Sequence, residues 1–288
     1  MNKLPVGQII RSAYAFTFGE IGTVIGLIWI PTLINAIASF IFLEVGGGAD
    51  GSAAVPGAFV LYVIMLVVLT AMMAVAVTKQ ALGIRKGPAL AYFSLGANEW
   101  RVVGGFGLLY LVLMAFLLMF GLIGAVLGLA GGAVLQNQSV MVATAGALGL
   151  VGVAAMIYVF VRLSFLFVPV ALNEGGLSLP RSWQLTAGNF WRIFAIGLAV
   201  TLPLLIVQAG AEYIVLGPGY FDSIAKALAD PANIARYQAE QADMARAATP
   251  VLLGISLVLA PILQGLLWAP AAFAYRVLSG KVIVADHT

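Results

Sequence analysis

Six long apolar stretches, separated by short polar segments, divide the chain at about residues 21–43, 58–78, 102–130, 141–170, 193–216 and 250–275. A helix needs about 20 apolar residues to cross a hydrocarbon core roughly 30 Å thick. Each stretch meets that length, and the third and fourth are long enough to tilt or to run past the core. Backbone N–H and C=O groups in lipid must be satisfied within the segment itself, so runs this long predict helices. The expected fold is an all-α membrane protein with six transmembrane helices, residues 1–288 forming a single polytopic membrane domain.

Basic residues then predict an orientation. Lys3, Arg11, Lys79, Arg85, Lys86, Arg101, Arg162, Arg181, Arg192, Arg276 and Lys281 fall on one side of the six stretches, and Lys226, Arg236 and Arg246 on the other. The richer side is expected in the cytoplasm, which places both termini there. The loops around Gly46–Gly57 and Gly131–Val140 contain no Lys or Arg. Residues 221–247 differ: Asp222/Lys226, Arg236/Glu240 and Asp243/Arg246 stand three or four apart, the spacing of neighbours on a helix. That segment predicts a polar helix on the outer side, either a solvated cap or a docking surface for a partner.

The basic side also carries an internal repeat. Its three segments run Pro5 to Gly19, Pro88 to Gly96 and Pro180 to Gly188. Proline suits a first helical turn and glycine a C-terminal cap. The second and third segments continue into Asn98-Glu-Trp-Arg101 and Asn189-Phe-Trp-Arg192, both N-x-W-R; in the first, only Tyr14, Thr17 and Gly19 match Trp183, Thr186 and Gly188. The pattern predicts three parallel units, approximately 1–79, 80–172 and 173–276. Each is an interfacial amphipathic helix with its apolar side down, followed by a helical hairpin.

Composition narrows the function classes. The chain is 62% hydrophobic and 9% charged, with no cysteine, and its one histidine is His287; its mean hydropathy is +1.08. Thiolate chemistry, Cys-ligated metal and a buried histidine base are excluded. Pro5, Gln8, Arg11 and Ser12 interrupt any short apolar core near the start, so no cleaved signal peptide is expected. There is no phosphate loop, paired catalytic carboxylate or nucleophile motif. The expectation is a protein that is not an enzyme and uses no cofactor, metal or nucleic acid.

The stretch Arg162–Leu198 reads RLSFLFVPVALNEGGLSLPRSWQLTAGNFWRIFAIGL. Its features are Arg162 near the end of a span, Pro169, the turn Glu174-Gly175-Gly176, and then Arg181-Ser182-Trp183, Leu185-Thr186, Gly188 and Phe190-Trp191-Arg192. This pattern resembles the membrane domain of the glycerophosphoryl diester phosphodiesterase family and related uncharacterised bacterial inner-membrane proteins. The specific part covers about 35 residues. The catalytic barrel fused to some members has no counterpart in these residues, so the resemblance implies the membrane fold and not the phosphodiesterase activity.

Two groups of candidate site residues follow. Trp100, Arg101, Arg162, Arg181, Trp183, Trp191 and Arg192 gather at one membrane depth on the basic side. They serve either as topological anchors or as a belt for lipid phosphates or a protein partner. Asn35, Thr201, Gln208 and Gln264 are polar positions within spans, with Glu212 near a span end. Prolines 31, 203, 261 and 270 interrupt the same helices. These residues form either an intramembrane polar path or hydrogen bonds that hold the bundle together. Gly22/Gly26 and Gly124/Gly128/Gly132 predict close helix packing, within the bundle or against a partner helix. The leading expectation is a non-enzymatic membrane protein that organises lipids, with anionic headgroups at the cytoplasmic face, or supports a membrane complex or homo-oligomer. The alternative is a transporter or channel for a small or amphipathic solute.

Overall fold

The computed structural model describes residues 3–46, 56–85, 92–134, 138–172, 177, 179–230 and 233–280. Lys86, Pro88, the Glu174–Gly176 turn, Lys281 and His287 lie outside them. The described residues are helical without a strand: α1 Val6–Gly19, α2 Ile21–Gly46, α3 Pro56–Ala81, α4 Ala97–Val134, α5 Gln138–Leu163, α6 Val168–Ala171, α7 Leu179–Thr186, α8 Phe190–Ala229 and α9 Ile234–Leu278. Six of these elements are long and apolar enough to cross a membrane. The chain is an integral membrane protein by that measure.

The core sits at one end of the bundle. One cluster joins Phe16, Val24, Leu27 and Ile28 to Val77, Val200, Leu266 and Ala269. A second joins Leu4 and Ile9 to Phe165, Ile193, Ile196 and Tyr275. A third joins Val75, Val102 and Val170, flanked by Phe106 and Phe167. All of these positions lie near the helix ends that adjoin the basic segments. Toward the opposite end the spans expose their apolar side chains, among them Ile37 on α2, Leu61 on α3, Leu118 on α4, Leu150 on α5 and Ile206 on α8. Side chains exposed over such lengths face lipid, which is as apolar as they are.

α1 departs from the expected interfacial placement. Its buried stripe of Ile9, Ala13, Phe16 and Thr17 has the i, i+4, i+7, i+8 spacing of an amphipathic helix. That stripe packs on α9, α8 and α2, not on the lipid surface. The Leu4 amide donates to Asn189 Oδ1 at 3.1 Å, and the Tyr14 hydroxyl donates to the Ala199 carbonyl at 3.2 Å. Ten residues separate the contacts on both chains, about 15 Å of helix each. A helix lying flat across the start of α8 would carry Tyr14 out of reach of Ala199, so α1 runs alongside α8 in the same direction.

Three other expectations change. In the second repeat segment, Tyr92–Gly96 is irregular, where a helix to Gly96 was expected. Of the glycines expected to end the three segments, only Gly188 takes a positive φ, 74°; α1 ends instead on Glu20 at φ −109°. The fourth span breaks after Leu163, where the Ser164 hydroxyl donates to the Val161 carbonyl at 2.9 Å ahead of Pro169. Serine competing for helix carbonyls and a proline lacking its N–H both favour such a break.

The expected helix over 221–247 is two arms. Gly217 sits at φ 73° before Pro218 and kinks α8. The Asn233 side-chain amide then donates to Asp230 Oδ2 at 2.8 Å across the turn, and α9 begins at Ile234. α9 runs 45 residues without a non-helical break, joining the polar arm to the last span. Arg236–Glu240 and Arg246–Asp243 form ion pairs at 3.1 and 3.6 Å. Asp222 and Lys226 form none among the described residues.

Of the glycines that the spacing singled out, Gly26 is buried, and close helix contacts occur at others as well. Gly22 and Gly124 face open space. At Gly105 an added Cβ would meet Phe167 Cε1 at 2.7 Å and Leu177 Cδ2 at 2.8 Å, whereas at Gly104 it would meet only Leu177 Cδ1 at 3.9 Å. Phe167 is held by Phe106 and Trp268, at ring-centroid distances of 4.6 and 6.1 Å. Gly105→Ala is therefore expected to lower stability by about 1–3 kcal/mol. Gly104→Ala should change it by less than about 0.5 kcal/mol. Thermal unfolding of the two variants in detergent checks the difference.

Candidate functional site

The basic end is built around Arg162, at the C-terminal end of α5. Its guanidinium donates to the Tyr158 hydroxyl through Nε and Nη2 at 3.2 and 3.0 Å, and its Nη1 reaches Thr186 Oγ1 at 3.4 Å and the Trp183 carbonyl at 3.5 Å. It also lies over the rings of Tyr158 and Trp183, 5.2 and 5.1 Å from their centroids. The Ser182 hydroxyl donates to the Arg162 carbonyl at 2.8 Å. Arg162 thus ties α7 to α5. The planar fork makes this possible, since it donates along its edge while stacking on its face.

The third N-x-W-R motif fastens the N-terminal segment. Asn189 receives the Leu4 amide, and Arg192 Nη1 donates to the Leu4 carbonyl at 2.7 Å. Both backbone groups of a fully buried residue are satisfied by one motif. Arg181 Nη2 donates to the Tyr275 hydroxyl at 3.0 Å and so ties α7 to α9. Trp183 and Trp191 remain exposed, in an aromatic cluster with Tyr158, Phe190 and Phe194. In the second motif Arg101 and Trp100 are exposed too. The sequence-chosen belt therefore divides into Arg162, Arg181 and Arg192, which carry internal hydrogen bonds, and Trp100, Arg101, Trp183 and Trp191, which face outward.

An apolar pocket of about 150 Å³ opens just inside this cluster, between the end of α5, α8 and α9. Ser164 and Ile193, next to the Arg162 and Arg192 positions, stand at its rim. Ile196, Gly197, Leu267 and Ala271 continue its wall into the bilayer. No sequence signal marked it, because its walls come from three separate segments with ordinary span composition. The chain matches no family model, no curated protein sequence and no solved structure.

The intramembrane polar residues share no hydrogen bond across spans among the described residues. Gln264 Oε1 accepts from Trp268 Nε1 at 2.7 Å, and Gln208 Nε2 donates to Glu212 Oε1 at 2.9 Å on an exposed face of α8. Thr201 bonds back to the Gly197 carbonyl at 2.8 Å. Each bond stays within its own helix. The Asn35 Oδ1 is buried without a hydrogen-bond partner.

A second polar corner precedes α4. The Tyr92 hydroxyl donates to Glu99 Oε1 at 3.0 Å, and Arg85 lies over the Tyr92 ring, 5.1 Å from its centroid. Glu99, almost fully buried, also folds back over Gly96, where an added Cβ would meet its Oε2 at 2.9 Å. Burial, with the Glu99 carboxylate beside it, raises the Tyr92 phenol above its ordinary pKa of 10.0. The neutral phenol is thus the form that this corner holds.

Proposed function

We propose that this integral membrane protein binds phospholipid at its basic end, and that it organises lipids or supports a membrane protein complex without itself being an enzyme. The observation that carries the reading is the apolar pocket beside the Arg/Trp cluster. Basic and aromatic side chains at headgroup depth, with an apolar slot leading into the bilayer, form a surface complementary to a phospholipid. The resemblance of Arg162–Leu198 to bacterial inner-membrane proteins and the positive-inside rule support a bacterial inner membrane with both termini in the cytoplasm. A solute path has less support, since Asn35, Gln208 and Gln264 share no hydrogen bond.

Gly197 faces open space in the pocket wall, so a leucine there fills the slot without a clash. Gly197→Leu is expected to reduce lipid retained on gently purified protein about tenfold, equivalent to 1.4 kcal/mol. Native mass spectrometry reads this directly, and a lipid-free wild-type monomer overturns the proposal. Orientation is tested separately, because the chain has no cysteine of its own. Single cysteines at Gln138 and Asn233 should react with an impermeant reagent outside intact cells, and those at Ala89 and Ser178 should not. Labelling at Ser178 from outside reverses the assignment.

A further inference from the structure

The end of the bundle away from the basic cluster holds a second apolar recess, between α8 and α9. It measures about 530 Å³ and is lined only by apolar residues, including Val207, Ala211 and Ile214 on one side and Val251, Gly254 and Val258 on the other. The recess is closed toward the basic end by the core at Val200 and Leu266. On its far side Ser223 and Thr249 are buried again. Between these points Val207, Ile214, Val251 and Val258 are exposed, so the recess opens toward lipid.

One charge stands at this recess. Glu212 is the sole Asp, Glu, Lys or Arg between Arg192 and Asp222 on α8, and α9 carries none between Arg246 and Arg276. Glu212 and Gln208 lie one helical step, about 100°, around α8 from the recess residues Ala211 and Val207. Twenty-two residues separate Glu212 from Phe190, about 33 Å of helix, which brings it to the far edge of a core roughly 30 Å thick. Tyr213, Tyr220 and Phe221 cluster there, with Tyr213–Phe221 and Tyr220–Phe221 centroids 5.3 and 5.4 Å apart. Tyrosines are enriched at that depth, beside the lipid headgroups.

The Glu212 carboxylate has a neutral partner, the Gln208 amide, and forms no ion pair among the described residues. An ionisable group at the membrane boundary calls for a named partner. We infer that this recess binds one acyl chain of a phospholipid whose primary ammonium headgroup is held by Glu212. An ammonium matches the carboxylate in charge and donates N–H bonds to it, which a quaternary headgroup does not. An anionic headgroup is repelled. A lipid also brings the charge and the apolar chain together at the required depth. This site is distinct from the pocket at the basic end and can fail without it.

The test uses the full chain in nanodiscs of phosphatidylethanolamine, phosphatidylcholine or phosphatidylglycerol, with lipid retention read by native mass spectrometry on release. In the Gly197→Leu background, which fills the basic-end pocket, the protein is expected to retain phosphatidylethanolamine about tenfold more than either other lipid, a difference of 1.4 kcal/mol. Glu212→Gln should erase that preference, and Glu212→Asp should keep part of it. Gly254→Leu, which enters open space and fills the recess, should lower retention of this lipid. The Gly197→Leu background keeps lipid held at the basic end out of the reading, which separates the two sites. Equal retention of the three lipids in that background overturns the inference, as does an unaltered preference on adding Glu212→Gln or unaltered retention on adding Gly254→Leu. A change confined to the monomer–dimer ratio of Glu212→Gln assigns the carboxylate to a second copy of the chain and also overturns it.

Discussion

Gly265→Leu is expected to separate α1 from α9 and to produce the largest loss of stability of any single substitution considered for this chain. A Cβ at Gly265 would lie 2.7 Å from both Cγ2 and Oγ1 of Thr17 and 3.1 Å from its Cβ. Thr17 is itself fully buried, so its short, branched side chain has nowhere to turn. The helix must move, and Ile9, Ala13 and Phe16 move with it. Overpacking of this kind costs about 1–3 kcal/mol, occasionally more. Gly265→Ala should already cost part of that, since its Cβ meets the same atoms. Gly254→Ala, eleven residues earlier on the same helix and facing open space, should cost less than about 0.5 kcal/mol. Thermal unfolding in detergent reads all three. A Gly265→Leu protein as stable as wild type removes the α1–α9 crossing from the fold.

Arg162→Met is expected to free α7. The methionine fills part of the arginine's space but lacks the two bonds to Tyr158, the reach to Thr186 and the stacking between Tyr158 and Trp183. Hydrogen bonds to charged groups contribute about 1.5–3 kcal/mol net. α7 has only eight residues, too few to hold a helix unaided. Amide exchange across Leu179–Thr186 should therefore rise to near-unprotected rates, with α2 and α3 unchanged. Arg162→Lys keeps the charge but not the fork and should recover less than half of the protection. If Arg162→Met leaves α7 protected, Arg162 is not the tie, and its place in a headgroup belt gains weight.

The six spans were legible in the chain because hydrophobic length is a local property that a lipid environment enforces on every segment. The placement of α1 was not. Ile9, Ala13, Phe16 and Thr17 would read the same whether that stripe faced a headgroup layer or another helix. Asn189 and Arg192 were legible as a motif but not as a clasp, because their partner, Leu4, lies 185 residues away from Asn189. Ser164 and Pro169 carried the local signal that the fourth span stops early. The glycine spacing did not mark Gly105 or Gly265, for a physical reason. Four-residue spacing puts small residues on one face but does not say that anything approaches it, whereas Gly105 and Gly265 each meet a specific side chain without belonging to such a series. The recess beside Glu212 was unreadable, since its walls come from two antiparallel helices.

The fastening of the first helix to the last two sets an order of synthesis. α1 leaves the ribosome well before the residues that bury it, Asn189 to Ala199 and Gly265 to Tyr275. At roughly 5–20 residues per second, the 185 residues between Leu4 and Asn189 take about 10–40 s to make. Throughout that interval the apolar stripe of α1 must rest on the membrane surface or on the insertion machinery. Docking alongside α8 and against α9 then completes the burial of α1.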